Sequence, residues 1–417
     1  MKLAVVGGGG REHAIIKKIK ESKRVEAIYA LPGNGGIAED AICVNIGAKE
    51  VDKIVEFAVK NKIDYVIVAP DDPLVMGLVD MLEEEGIPCF GPDKAAAIIE
   101  GSKAFSKDLM KKYNIPTADY AVFTEINEAL SYLESCKIPV VVKADGLALG
   151  KGVIIAETKE QAIDAVKMMM TEKKFGDSGN KVVIEEFLTG PEVSVLSFTD
   201  GNVVIPMVSS MDHKRALDGD KGPNTGGMGT IAPNPFYTKE IAEDCMEKIF
   251  IPTIEAMKSE GRTFKGCLYF GLMITDDGVK VIEYNARFGD PETQVVLPLL
   301  KGDLLEIMEA TTNGTLKDID FTFEDKYACC VVVASGGYPV EYKKGYGVSL
   351  PEKKLGIFVA GTKLIDGKQV TCGGRVLGVT EIGDTLEEAI EKSYETVKKV
   401  NFTDLFYRTD IGRRGMK

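Results

Sequence analysis

The stretch Lys2-Leu3-Ala4-Val5-Val6-Gly7-Gly8-Gly9-Gly10-Arg11-Glu12-His13-Ala14 decides the fold class. Lys2–Val6 is an apolar run of strand length, and Arg11–Ser22 carries apolar residues at helical spacing. A strand that turns through glycines into a helix is half of a βαβ unit. The alternation continues outward. Val25–Ala30 reads as a strand, Asp52–Lys60 as a helix, Tyr65–Ala69 as a strand, Gly77–Glu85 as a helix and Pro88–Phe90 as a short strand. This predicts a parallel sheet covered by helices on both faces.

The four glycines do not form a dinucleotide fingerprint. Counting G-x-G-x-x-G from Gly7 puts the third glycine at Glu12, and counting from Gly8 puts it at His13. The second strand ends Tyr29-Ala30-Leu31-Pro32, without an acid for a ribose hydroxyl. A nicotinamide dehydrogenase is thereby weakened. A plain tight turn and a seat for a phosphate or phosphosugar both stay open. Asn34-Gly35-Gly36 and Pro70-Asp71-Asp72 follow later strands and line the same sheet edge, where open α/β sheets bind ligands.

Past residue 100 the pattern changes. Residues 101–122 read as helical, with a turn at Asn114-Ile115-Pro116. Val140–Lys143 and Gly152–Ala156 read as strands around a glycine-rich loop, and Lys159–Met170 as a helix. Polar Thr171–Lys181 reads as a mobile loop. Val182–Glu186 is a strand, with Glu192–Phe198 expected as its partner after the turn Thr189-Gly190-Pro191. Further strands are expected at Val203–Val208, Cys267–Thr275, Val279–Asn285 and Ala328–Ala334, with helices at Thr238–Ser259 and Leu386–Lys399. The expected fold class is α/β and α+β multidomain. Its parts are residues 1–100, a core of 101–122 and 193–325, an inserted unit of 123–192, and 326–417.

Composition removes several function classes. Among 417 residues, 64 acids outweigh 51 bases for a net charge of −13, so no overall nucleic-acid footprint exists. No apolar run approaches the roughly 18 residues of a membrane helix, and Leu3–Val6 is too short for a signal-peptide core. Eight cysteines without C-x-x-C read as reduced and cytoplasmic. Two histidines, His13 and His213, leave no His-rich zinc or iron site, so a metal here should be hard and oxygen-bound.

Three segments carry chemistry. Lys143-Ala144-Asp145-Gly146-Leu147-Ala148-Leu149-Gly150-Lys151-Gly152 is not a Walker A loop: three residues separate Gly146 from Gly150, and no Ser or Thr follows Lys151. Between two strands it reads as a flap over polyphosphate, with lysines offsetting charge, or as an ordinary flexible hairpin. Val183–Leu188 ends an apolar strand in paired acids, able to offer backbone groups to an adenine edge, while Glu192 suits ribose hydroxyls; a solvated strand end is the bland reading. On Val279–Arg287, alternation points Glu283, Asn285 and Arg287 the same way. An acid and an amide suit Mg²⁺, and the arginine suits a carboxylate or phosphate. A polar sheet face with a surface salt bridge is the alternative. Asp212–Lys214 and Gly222–Gly229 lie on one long aperiodic loop.

Taken in order, these segments resemble the phosphoribosylamine–glycine ligase (glycinamide ribonucleotide synthetase) family of the ATP-grasp superfamily. The resemblance rests on Gly7–Ala14, Pro32–Gly36, Gly101–Lys107, Lys143–Val153, Asp212–Gly229, Glu283–Glu292 and Gly373–Val379, and spans essentially the whole chain. It implies an N-terminal α/β domain, an ATP-grasp core with an inserted lid, and a C-terminal α/β domain. It implies ligation of glycine to 5-phospho-β-D-ribosylamine through glycyl phosphate, with ATP and Mg²⁺ (or Mn²⁺), in a cytoplasmic monomer. By resemblance Lys103, Lys143 and Lys151, with Gly150 and Gly152, contact ATP phosphates. Glu185, Glu186, Phe187 and Leu188 hold adenine and Glu192 the ribose. Glu283 and Asn285 carry the metal. Arg287 stabilises the transferring phosphoryl group or orients the glycyl carboxylate, Asp212 and Lys214 meet glycine's ammonium and the acyl phosphate, and Gly9, Gly10, Asn34, Gly35 and Asp290 face the phosphoribosylamine. Two departures stand out. Asp71-Asp72 replaces the family's Pro-Glu acid with a shorter side chain, and Tyr269–Leu272 lacks the extra metal-binding acid many ATP-grasp enzymes carry. A sibling carboxylate–amine ligase and a silent nucleotide binder are the competing readings.

Overall fold

In this computed structural model, residues 1–148, 152–352 and 356–416 are described. Strands β1 (Lys2–Gly7), β2 (Ala27–Pro32), β3 (Ile42–Cys43), β4 (Tyr65–Val68) and β5 (Cys89–Phe90) form one sheet in the order β3-β2-β1-β4-β5. Every pairing in it is parallel. Leu3 to Val6 of the central strand are almost wholly buried, as a strand covered on both faces must be. Helices α1 (Gly10–Ile19) and α2 (Val51–Asn61) are the crossovers. The helix expected over Gly77–Glu85 is α4 (Leu78–Glu84); a further helix, α3 (Asp71–Met76), precedes it, and Gly77, with φ +92°, separates the two.

Helices α5 (Lys94–Gly101) and α6 (Lys103–Lys112) follow, capped by the side chains of Asp93 and Ser102. Helix α6 ends before Asn114 (φ +56°), ahead of Pro116, so the helical expectation to residue 122 overshoots. Next comes a small antiparallel sheet, order β6-β9-β7-β8, made of β6 (Tyr120–Phe123), β7 (Val140–Ala144), β8 (Val153–Ala156) and β9 (Val182–Glu186). Helices α7 (Ile126–Ser135) and α8 (Lys159–Met170) share its apolar core through Ala129, Leu133, Val166 and Met169.

The expected pairing of Val182–Glu186 with Glu192–Phe198 does not occur. Strand β9 pairs with β6 and β7, whereas β10 (Glu192–Thr199) enters another sheet, β11-β10-β16-β17. That sheet contains β11 (Val204–Pro206), β16 (Gly266–Thr275) and β17 (Gly278–Asn285). Gly190 causes the switch. At φ +143° it turns the chain onto the end of β16, so closely that a Cβ there would sit 1.9 Å from the Ile274 carbonyl oxygen.

Behind this sheet lies the helix expected over Thr238–Ser259. It is present as α9 (Lys239–Cys245) and α10 (Ile251–Ser259), joined by a π turn at Met246–Phe250. Pro252 has no N–H to donate into the ladder, which accounts for the wider turn.

The loop Asp212–Gly229 is more ordered than its sequence suggested. Strands β12 (Met211–Asp212) and β15 (Gly229–Ala232) pair with each other, and a hairpin of β13 (Arg215–Leu217) and β14 (Lys221–Asn224) is nested between them. Strand β15 continues onto Tyr327–Ser335, then Arg375–Gly383 and Ile357–Val359, in a sheet whose pairings are all antiparallel. The helix Leu386–Val397 shares this sheet's core. The two halves of the loop are thus fixed to the C-terminal sheet, facing back over the core.

Gly190 and Gly314 provide a matched test. Both have positive φ, but an added Cβ at Gly314 meets nothing within 4 Å. Gly314→Ala should cost only the left-handed penalty of about 1–2 kcal/mol. Gly190→Ala should lower the thermal midpoint clearly further, because backbone must also move; equal midpoints in calorimetry would refute the role given to Gly190.

Candidate active site

One cavity of about 880 Å³ lies where the three larger sheets and the inserted sheet meet. Its first end is built from lysines. Lys103 and Lys107 stand one turn apart on α6, and Lys143 projects from β7. Glu185 of β9 sits between two of them, its oxygens 2.9 Å from both Lys107 Nζ and Lys143 Nζ. All three are at most 4% exposed. Burial pulls Lys107 down to about 8 against the pull of Glu185. Burial also acts to raise the Glu185 pKa, but Lys143 and Lys107 outweigh it and hold the group below the usual carboxylate range. Two ammoniums on one carboxylate leave a net positive charge, suited to polyphosphate. Removing one partner of such a buried set costs about 3–5 kcal/mol, against about 0–1 for exposed pairs.

Lys103 donates to the Gly146 carbonyl (3.0 Å), and Asp145 accepts from Ala104 N–H (2.7 Å) at the start of α6. Asp145 and Gly146, at the start of the glycine-rich loop, are therefore seated on α6. Gly152 lines the cavity; Gly150 and Lys151 lie outside the described residues. Glu186, Phe187, Leu188 and Glu192 form the adjoining wall. The Glu185 carboxylate is spent on lysines, and its backbone lies within the sheet between β6 and β7. Glu192 pairs with Lys214 at 3.0 Å.

The other end gathers Asp212, Lys214, Glu283, Asn285, Arg287 and Asp290. The alternation argument for β17 holds: Arg287 Nη2 donates to Asn285 Oδ1 (3.1 Å) and pairs with buried Glu100 (2.9 Å). Arg287 Nε is buried without a partner among the described residues. Glu283 has no hydrogen-bond or ion-pair partner among them either. Burial works against its charge, yet Lys214, Lys143, Lys103 and Arg287 together hold it ionised. No group of three or more His, Cys, Asp or Glu side chains forms a metal cage among the described residues. One carboxylate and one amide on a strand fit a small divalent cation that takes its remaining ligands from phosphate and water.

Asp212 is pushed up to about 7, chiefly by burial, with Glu292, Glu192 and Glu283 adding to the rise and Lys214 opposing it. Tyr269 Oη links Ser194 Oγ (2.7 Å) to Glu292 Oε1 (3.2 Å), so two further polar groups face the same space.

Four expected substrate residues do not reach the cavity wall: Gly9, Gly10, Asn34 and Gly35. Asn34 is fully engaged. Its amide donates to the carbonyls of Gly8 and Val359 and its oxygen accepts from Gly36 and Ile37. Gly35 N–H bonds the Thr362 carbonyl. What this edge does present is Arg11 and Asp71, whose pKa is lowered by Arg287 and Arg11 against burial. The shorter acid therefore does face the site. Lys107, Glu100, Glu292 and Arg375 were missed. Only Lys107 had a clear signal, its i, i+4 spacing from Lys103.

Family models match most of the chain in three pieces. Residues 1–100 match phosphoribosylglycinamide synthetase, N domain; 101–293 match its ATP-grasp (A) domain; 328–414 match its C domain. The chain is 52% identical over 413 residues to phosphoribosylamine–glycine ligase of Caldanaerobacter subterraneus subsp. tengcongensis, covering 99% of each. The crystal structure of phosphoribosylamine–glycine ligase from Thermotoga maritima superposes with a TM-score of 0.87 at 35% identity, covering 99% of this chain and 100% of that one. A biotin carboxylase domain from Hydrogenobacter thermophilus, in complex with MgADP, shares the fold with a TM-score of 0.75 at 16% identity, over 97% of this chain and 91% of that one.

Two outcomes follow from the electrostatics. Glu185→Gln should weaken ADP binding about tenfold, since the two lysines lose their common anchor, as titration calorimetry would read. Asp212 binds its proton more tightly folded (about 7) than unfolded (3.8), so its stabilising contribution is present at low pH and lost as pH rises through 7. The thermal midpoint of the Asp212→Asn variant should therefore gain on the parent between pH 4 and 7; a constant gap would refute the raised pKa.

Proposed function

The chain belongs to the phosphoribosylglycinamide synthetase family, and from that premise we propose that it joins glycine to 5-phospho-β-D-ribosylamine, forming glycinamide ribonucleotide, ADP and phosphate from ATP. The reaction is a step of purine biosynthesis. One observation carries the reading: a lysine-lined end and the Glu283–Asn285–Arg287 face open into the same cavity as Asp212 and Lys214.

A carboxylate is a poor acyl donor, so glycine must first become glycyl phosphate. Lys103, Lys107 and Lys143 offset the charge of the ATP phosphates. The backbone of 186–188 meets the adenine edge; neither Phe187 nor Leu188 has a backbone hydrogen-bond partner among the described residues. Glu283 and Asn285 would hold a divalent ion, Mg²⁺ by its preference for few protein oxygens, and it would supply neutralisation of phosphate charge. Arg287, locked by Glu100 and Asn285, faces the phosphoryl group as it moves, where fixed charge is most effective. Lys214 orients the glycyl carboxylate, and Asp212 receives glycine's ammonium. Arg11 and Asp71 offer a cation and an anion to the phosphosugar. The inserted sheet covers the site and keeps water from the acyl phosphate. All eight cysteines are free, in keeping with a reduced, cytoplasmic setting, and no helix among the described residues is long and apolar enough to cross a membrane. We take the working form as a monomer.

The test is ADP release by purified protein with Mg²⁺, ATP and glycine, with and without phosphoribosylamine generated in place. Release requiring both substrates supports the reading. Release with glycine alone would indicate a sibling ligase with another acceptor, and ATP binding without release a silent binder. Arg287→Lys should lower kcat about 10²–10³-fold with ADP affinity nearly unchanged, since its contribution falls in the transition state.

A further inference from the structure

Arg408 is the largest of the fully buried side chains, 1% exposed, and lies in none of the segments that define the site. Burying a guanidinium is expensive unless its donors are satisfied. Its Nε and Nη2 donate to the two oxygens of Asp410 (2.8 and 2.9 Å), and Nη1 donates to the Arg215 carbonyl and to Asp220 Oδ1 (both 3.0 Å). The last two acceptors belong to the hairpin nested between β12 and β15. The same grip extends along the chain. Thr409 N–H and Oγ1 bond Asp218, Gly219 N–H bonds Asp410, and Gly412 N–H donates to His213 Nε2 (3.2 Å).

The consequence falls on Lys214. Its neighbour on one side, His213, is held by Gly412, and its neighbour on the other, Arg215, is held by Arg408 through the carbonyl. His213 is buried and its pKa is pushed down to about 4 by burial, so it stays the neutral acceptor this contact needs. Lys214 itself reaches the cavity, 3.0 Å from Glu192. Among the described residues, none of segment 408–412 lines the cavity.

We propose that Arg408 is a positioning residue that clamps the 213–224 hairpin from behind, setting the place of Lys214 and hence the handling of glycine while leaving nucleotide binding alone. This rests on the reading of Lys214 as a glycine-side residue.

The experiment uses the full chain with Arg408→Lys, and Asp410→Asn as a gentler second variant should the first not fold. Steady-state kinetics with glycine and ATP varied separately should show kcat/KM for glycine falling about tenfold or more, the loss of a charge-assisted contact, while ADP affinity stays within about twofold. Amide exchange across 215–224 should quicken in both variants. In Arg408→Ala, added millimolar guanidinium should restore part of the glycine kcat/KM. Equal losses toward glycine and nucleotide, or variants with unchanged kinetics and unchanged exchange, would overturn the proposal. If the parent chain shows no glycine-dependent turnover, the ligase reading fails instead, and exchange across 215–224 still decides whether the clamp exists.

Discussion

A single carboxylate holds the architecture together. Asp290, on the turn that follows β17, accepts from Arg11 N–H (3.3 Å) and from Gln294 Nε2 (2.9 Å), and its Oδ1 lies 3.4 Å from Arg375 Nη1. Arg11 belongs to the parallel-sheet domain and Arg375 to the antiparallel one. Each also donates to a carbonyl of the same turn, Arg11 to Phe288 and Arg375 to Asp290. Three sheets therefore brace on one turn, and the strand entering it carries Glu283, Asn285 and Arg287. This gives Gly8 and Gly10 a packing role. A Cβ at Gly8 would sit 2.3 Å from the Gly33 carbonyl oxygen, and one at Gly10 2.6 Å from Gln294 Nε2. The glycines allow close approach, and the protein's own Asp290 carboxylate occupies the positive end of α1.

The site is then a problem of keeping like charges together. Arginines and lysines converge on it, and three of them are held by buried acids: Glu185 for Lys107 and Lys143, Glu100 for Arg287. Glu283 is the exception, a carboxylate without a direct side-chain partner among the described residues, kept ionised by the surrounding cations. A chain that only bound nucleotide would gain nothing from leaving that charge uncovered.

Much of this was legible in the sequence, because apolar runs and glycine turns act locally. Helix α8 and strands β1, β4 and β17 were recognised almost to the residue. Pairing was less legible. Val182–Glu186 and Glu192–Phe198 both alternate as strands should, and alternation does not say which sheet receives them; the steric demand at Gly190 does, and it involves Ile274, far along the chain. The same holds for Asp212–Gly229, whose short strands carry no period long enough to see. The common facing of Glu283, Asn285 and Arg287 into one cavity was legible because i, i+2 spacing is a local signal. That the Asn34 amide is occupied within the protein was not legible, because an amide in a loop looks available until its four partners are known. Arg375 and Arg408 were invisible for the converse reason: their roles depend on contacts with residues more than eighty positions away.

The central claim is that this cavity activates glycine's carboxylate by phosphoryl transfer before the amine attacks. Glycine labelled with ¹⁸O in its carboxyl group tests it directly, by mass analysis of the phosphate released during turnover with ATP and phosphoribosylamine. The account predicts one labelled oxygen in each phosphate formed. Unlabelled phosphate accompanying product would contradict it.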